Sequence, residues 1–317
     1  MTVSTLVSCS VVICAYTTQR WTDLCAAVDS VLTQNVPVLE VLVVIDHSEE
    51  LFSRAERHFA EQTRVTVLRN SGSKGLSGAR NTGVRAARGD MIAFLDDDAR
   101  AEPDWYRVSA AHYSDPDVLG VGGFASPVWP ADRPVWMPAE FDWVVGCSYV
   151  GQPTRIEPVR NFIGCNMSLR RTVFDAVDGF SDGIGRVGTT PVGCEETELC
   201  IRIRAAHQPT AQLLFDPAMK VAHRVSDDRT TFRYFLSRCF HEGMSKALVS
   251  DLVGAGDALS SERAYTARVL PRAVVTGIAS PRHGGLARAG AVVAGLTATT
   301  AGYVRGLVGL RSKRVTE

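Results

Sequence analysis

The stretch "AFLDDDAR", residues 93–100, places three carboxylates in a row directly after a run of apolar residues. Two carboxylates about 4 Å apart repel by about 4 kcal/mol at an effective dielectric near 20. A buried strand ending in Asp96, Asp97 and Asp98 therefore calls for a compensating charge, and a divalent cation is the commonest one. The plain alternative is that the three side chains fan out into water at a loop. What lies around the triplet decides between them.

Upstream, strands and helices alternate. Leu6–Ala15 is a near-continuous apolar run, as expected for a strand buried on both faces. Leu24, Val28, Val31 and Leu32 follow at helical spacing, and "VLEVLVVID" (38–46) reads as a second buried strand ending in Asp46. Residues 49–62 read as a helix and "RVTVLRN" (64–70) as a third strand. "GLSGARNTGVRAARGD" reads as a glycine-rich loop entering a helix, and "MIAFLDDD" (91–98) as the fourth strand. This alternation implies βαβ crossovers and a parallel sheet, in which ligands bind outside the carboxyl ends of the strands. Asp46 and Asp96–Asp98 both fall there.

The chain has 317 residues, 45% of them hydrophobic and 21% charged, with a formal net charge of zero. Nothing in that balance calls for a nucleic-acid partner. Its eight cysteines contain no CxxC pair, which fits a reducing, cytoplasmic compartment. The apolar opening lacks a basic flank and leads into a helix, so it reads as a strand rather than a signal peptide. Residues 124–160 are rich in Pro and Trp, with weak periodicity. "CEETELCIRIRAA" reads as a helix and "AQLLFDPAMKVAHRV" as a last core strand leading to His223. "RTTFRYFLSRCFHEGMSKALV" reads as an amphipathic basic helix.

Seven motifs, "VVICAY", "VVID", "SGARNTG", "FLDDD", "NFIGCNMS", "CEETEL" and "VAH", occur in the order found in the inverting nucleotide-sugar glycosyltransferases of the GT-A fold, family 2. The chain resembles that family over residues 6–245. The resemblance implies an α/β fold of GT-A type, Rossmann-like, with a mainly parallel central sheet flanked by helices and a helical C-terminal extension. It divides the chain into a GT-A domain over 1–245 (a nucleotide-binding half to about 123, an acceptor half from about 124) and an extension over 246–317.

The same resemblance implies a nucleotide-sugar donor and a divalent cation, Mn²⁺ or Mg²⁺. A nucleoside diphosphate leaving group gains negative charge as it departs, and a hard cation absorbs it. Asp98 is the first choice of metal ligand, with Asp96 beside it and His223 completing the site. Asp96 and Asp97 are placed to hold ribose hydroxyls or metal-bound water. Cys14 and Ala15 offer backbone groups to the base, Tyr16 stacks on it, and Asp46 accepts from its ring N–H, which suits uracil. Tyr16 as core packing is the competing reading. The family often has Asp-Asp-Gly-Ser where this chain has Ile45-Asp46-His47-Ser48. Arg80 and Asn81 are placed to meet ribose or phosphates, and Gly164, Cys165 and Asn166 to line the donor sugar.

The catalytic base falls in "CEETEL". The family pattern is Glu-Asp with the second residue as base, so Glu196 is the candidate here, one methylene longer, with Glu195 or Glu198 as substitutes. Acidic residues capping a helix are the competing reading. "CEETELCIR" and "NFIGCNMS" resemble glucuronosyltransferases acting on lipid-linked acceptors. The acceptor expected is a cell-envelope glycan or a polyprenyl-linked saccharide. A sugar nucleotidyltransferase, or a non-catalytic nucleotide- or glycan-binding protein, stands as the alternative.

Residues 262–317 carry nine Lys/Arg against two acidic residues. The uncharged stretch Ala289–Val304, 16 residues, falls short of the roughly 20 needed to span a bilayer. Flanked by arginines, it suits peripheral contact with an anionic membrane at the inner face of the cell membrane. A helix packed on the protein fits the same pattern.

Overall fold

The computed structural model describes residues 6–182, 193–254 and 260–316. Two compact units are present. The first comprises residues up to 126, 153–189 and 195–223; the second comprises 127–152, 190–194 and 224–317.

The first unit is built on one sheet. β1 (Cys9–Ala15), β2 (Glu40–Ile45), β3 (Val65–Arg69) and β4 (Met91–Asp96) are all parallel, in the order β3-β2-β1-β4. β2 is buried throughout, which is why it reads as unbroken apolar sequence. The sheet then turns antiparallel. β8 (Asn166–Arg170) runs against β4, and β6 (Val118–Val128) against β8. β9 (Gln212–Arg224) pairs antiparallel with β5 (Ala99–Ala101) and β7 (Glu157–Pro158). The α/β class stands, but the sheet is mixed, parallel only over its first four strands. β8 follows β6 with no α-helix between them and runs back against it.

Side-chain alternation sorts the layers. Odd positions of β1 and β4 (Val11, Ile13, Ala93, Leu95) join a core with α1 (Trp21–Leu32), α2 (Glu49–Phe59) and α4 (Trp105–His112). Even positions (Val12, Ile92, Phe94) face α3 (Leu76–Ala86), α5 (Val173–Val177) and α6 (Glu195–Ala206). Each helix declares its inward face by spacing, as with Leu24, Ala27, Val28 and Val31 of α1. α2 starts where Ser48 caps Leu51 N–H and two glutamates occupy the first turn. In α3 the glycines serve packing. A Cβ on Gly78 would lie 2.0 Å from the Ser73 carbonyl oxygen, and one on Gly83 2.5 Å from Val12.

In the second unit, α7 (Phe232–Val253) lies against the C-terminal helix, Gly285–Thr316. Glycine permits the contact: a Cβ on Gly243 would meet the Thr299 carbonyl at 2.0 Å, and one on Gly302 that of Phe240 at 1.9 Å. Phe141, Val145, Phe235, Cys239 and Val292 form the core there. The outward side of the C-terminal helix is apolar as well. Leu286, Val293, Val304 and Val308 are each more than half exposed. By length and composition alone, Arg282–Arg311 is long and apolar enough to cross a membrane.

Candidate active site

The acidic triplet ends β4, and the parity of the sheet divides it. Asp96 continues the even positions and faces α3 and α6. There the buried Arg80 guanidinium reaches Asp96 (Nη2–Oδ1 3.4 Å), Glu195 at the start of α6 (Nη1–Oε1 3.1 Å), and the Gly164 carbonyl (3.0 Å). Burial alone would lower the pKa of Arg80, but the Glu195 and Asp96 carboxylates outweigh it and hold the guanidinium charged. Asp97 and Asp98 are met instead by Arg20, from the turn before α1. Its Nη1 lies 2.9 Å from Asp97 Oδ1 and 3.0 Å from Asp98 Oδ2. Burial, then the neighbouring Asp98 charge, pushes the Asp97 carboxyl up to about 7 against the pull of Arg20.

The antiparallel register Ala99↔His223 brings His223 beside the triplet, with Nε2 3.2 Å from Asp98 Oδ1. Asp96, Asp98 and His223 each offer a ligand atom, all three within 4.8 Å of one another. Two carboxylates and an imidazole suit Mn²⁺ or Mg²⁺. Nearby, Asp97 Oδ2 and Glu195 Oε2 are buried carboxylate oxygens with no hydrogen-bond partner. Such atoms are costly unless a ligand meets them. The residues present thus fit a divalent cation.

The remaining expected residues separate into two groups. Cys14 pairs in register with Asp96, and its thiol is pushed up to about 12 by burial. The Ala15 carbonyl accepts the Asp46 N–H, and Tyr16 is exposed beside Arg20, whose guanidinium carbon lies 5.8 Å from the ring centre. Asp46 is buried and already accepts from Asn70 Nδ2 (2.7 Å) and the Gly75 N–H (3.0 Å), with His47 Nδ1 at 2.9 Å. That leaves about one of its four acceptor positions for a base. His47 adopts φ +51°, so the backbone keeps the left-handed turn that the family's glycine would take without strain.

Two more of the expected residues already have partners within the protein. Asn81 donates to the Phe180 carbonyl and accepts the Phe180 N–H, both at 2.8 Å, so its amide braces that turn. Asn166 is completely buried: Oδ1 accepts from Trp105 Nε1 (2.7 Å), and Nδ2 donates to Phe124 and Met219 carbonyls. Cys165 is buried beside it, and Gly164 reaches the site through its carbonyl. Asn166→Ala should cost about 3 kcal/mol of stability by stranding buried polar groups. A thermal melt alongside donor titration checks this; a loss of donor affinity at an unchanged melting temperature would show that Asn166 acts on the donor instead.

At the start of α6, Glu198 is held by Arg202 Nε and Nη2 (2.5 and 2.8 Å); Nη2 also donates to the Gly179 carbonyl and Nη1 to that of Val177. Glu195 is held by Arg80. Glu196 is the most exposed of the three carboxylates, with Oε1 3.4 Å from Thr197 Oγ1. Arg20 is the residue that sequence reasoning missed. Its signal was position: "TTQRW" follows β1, at the same sheet end as the triplet.

The family model for glycosyl transferase family 2 matches residues 10–178. A glucosyl-dolichyl phosphate glucuronosyltransferase of Haloferax volcanii is 36% identical over 241 residues, 76% of each chain. A pre-mycofactocin glycosyltransferase of Mycobacterium tuberculosis is 26% identical, over 65% of this chain and 41% of that protein. Among solved structures, the fold is similar to a Pyrobaculum calidifontis mannosyltransferase in complex with GDP-Man and Mn²⁺ (TM-score 0.58, 16% identity, 93% of this chain and 88% of that one). It is also similar to GalNAc-T7 with UDP, GalNAc and Mn²⁺ (TM-score 0.56, 17% identity, 84% and 57%). With its motif order, sheet and acidic strand end, the chain belongs to the family 2 glycosyltransferases of the GT-A fold.

Proposed function

We propose that this glycosyltransferase moves a sugar, with inversion, from a UDP-linked donor to a hydroxyl of a polyprenyl-linked saccharide. The observation that carries this reading is the convergence of Asp96, Asp98 and His223 with the start of α6 at one end of the sheet, joined through Arg80. Asp96, Asp98 and His223 would hold a divalent cation, Mn²⁺ or Mg²⁺, which when bound would supply positive charge for the departing diphosphate. Tyr16 and Asp46 hold the base. Glu196 takes the proton of the acceptor hydroxyl as its oxygen attacks the anomeric carbon. Similarity to the Haloferax glucuronosyltransferase supports UDP-glucuronate as donor and a glucose linked to a polyprenyl phosphate as acceptor.

The test is a donor panel (UDP-glucuronate, UDP-glucose, UDP-N-acetylglucosamine, GDP-mannose) with polyprenyl-phosphate glucose, in Mn²⁺, Mg²⁺ or EDTA. Mass spectrometry reads the product and NMR its anomeric configuration. Transfer of glucuronate with inversion is expected. Pyrophosphate release from UTP and a sugar phosphate, with no transfer, would make the protein a nucleotidyltransferase.

A lipid-linked acceptor sits at a membrane surface, and the C-terminal helix is proposed to rest there. Its inward face is committed to α7 through Gly243 and Gly302, so deleting 262–317 would bare the core of that unit. Substituting the outward face is the cleaner probe. Val293→Glu with Val304→Glu should weaken binding to anionic liposomes by about tenfold, with no change in melting temperature. Flotation of the double variant equal to wild type would remove this face from membrane contact.

A further inference from the structure

We infer that Arg20 is a built-in counter-ion of the acidic triplet, which weakens its hold on a divalent cation until a nucleoside diphosphate arrives to take up the same guanidinium. This rests on the metal and nucleotide reading proposed above.

Arg20 Nη1 lies between Asp97 Oδ1 and Asp98 Oδ2, at 2.9 and 3.0 Å. Asp98 is thereby divided: Oδ1 faces His223 at 3.2 Å, and Oδ2 faces Arg20. A cation held by Asp96, Asp98 and His223 would share a carboxylate with a guanidinium, and two like charges on one carboxylate oppose each other. Arg80 differs. Only 2% of its side chain is exposed and it joins elements of the core, whereas Arg20 keeps 22% of its side chain exposed. A ligand can therefore reach Arg20.

Its surroundings indicate which ligand. The Tyr16 ring centre lies 5.8 Å from the Arg20 guanidinium carbon, and Asp97 and Asp98 meet the same guanidinium. A nucleotide with its base on Tyr16 and its phosphates at the metal group carries its diphosphate past this guanidinium, the group best shaped to meet phosphate oxygens. When the diphosphate takes that charge, the carboxylates turn wholly to the cation. Metal and nucleotide then tighten each other by the same factor, as linkage requires.

Titration calorimetry of the metal-depleted full chain with Mn²⁺, alone and in saturating UDP, tests this. In wild type, UDP should tighten Mn²⁺ binding strongly. In Arg20→Gln, Mn²⁺ alone should bind about tenfold tighter, since a unit charge a few ångströms from the ion is gone. The tightening by UDP should shrink correspondingly. Arg20→Lys keeps the charge and should restore weak Mn²⁺ binding. Arg20→Met, neutral and of similar length, makes the same measurement if the Gln variant does not fold. A neutral variant that binds Mn²⁺ no tighter than wild type, at an unchanged melting temperature, would reduce Arg20 to a structural brace and overturn the inference. Wild type that binds no Mn²⁺ even in UDP would instead sink the metal reading of the site, and this inference with it.

Discussion

Glu196→Gln should lower sugar transfer by about 10²–10⁴-fold, the usual contribution of a general base, equivalent to about 2.7–5.4 kcal/mol of barrier. The amide preserves shape, so donor and Mn²⁺ affinity should hold, and the fall should appear in kcat. Its neighbours give a built-in contrast. Glu195 is buried against Arg80 and Glu198 against Arg202. Neutralising either leaves a guanidinium short of a partner, so each variant should lose about 3 kcal/mol of stability. Steady-state kinetics and thermal melts on all three variants separate the roles. Glu196→Asp adds a finer probe, because it restores the family's usual residue but draws the carboxylate back by one methylene. It should retain more activity than the amide does. If Glu196→Gln turns over at the wild-type rate while the Glu195 variant is folded and dead, the base lies one residue earlier.

The second large effect belongs to Asp98. Asp98→Asn removes the carboxylate that the metal group shares with Arg20 and should cost about a thousandfold in kcat/KM, matching several kcal/mol of lost charge stabilisation. EDTA should silence the wild type to the same degree. Without metal, the melting temperature of this variant should not fall. Asp97 and Asp98 crowd one another, and that crowding helps to push the Asp97 carboxyl up, so removing one charge relieves the other. Turnover of Asp98→Asn at the wild-type rate, or wild-type activity undiminished in EDTA, would refute the metal assignment.

The parallel half of the sheet was legible because β1, β2 and β4 are buried on both faces and write that burial as unbroken apolar runs. The antiparallel half was harder. β6 threads Gly120, Gly122 and Gly123 past neighbouring chain with almost no side-chain room, so its sequence lacks the bulky periodicity that marks a strand. The triplet, His223 and the α6 carboxylates were visible as residue types at strand and helix ends. Which carboxylate is held by which arginine was not, because that depends on the parity of β4 and on register with β9. The two asparagines show the limit clearly. Asn81 and Asn166 have the chemistry of ligand-binding residues, and their partners within the protein, the Phe180 backbone and the Trp105 indole, could not be read from it.

The pair between Arg80 and Glu195 joins residues 115 positions apart. During synthesis the ribosome releases β1 to β4 and α3 long before α6, so the nascent chain holds a guanidinium destined for burial before its second carboxylate exists. Contacts this distant in sequence form late and slowly. Docking of α6 is then what pairs Arg80 with Glu195, and β9, which carries His223, follows it along the chain. Half-made chains carry the acidic strand end without α6 or His223, so the whole candidate site comes together only after residue 223 has been made.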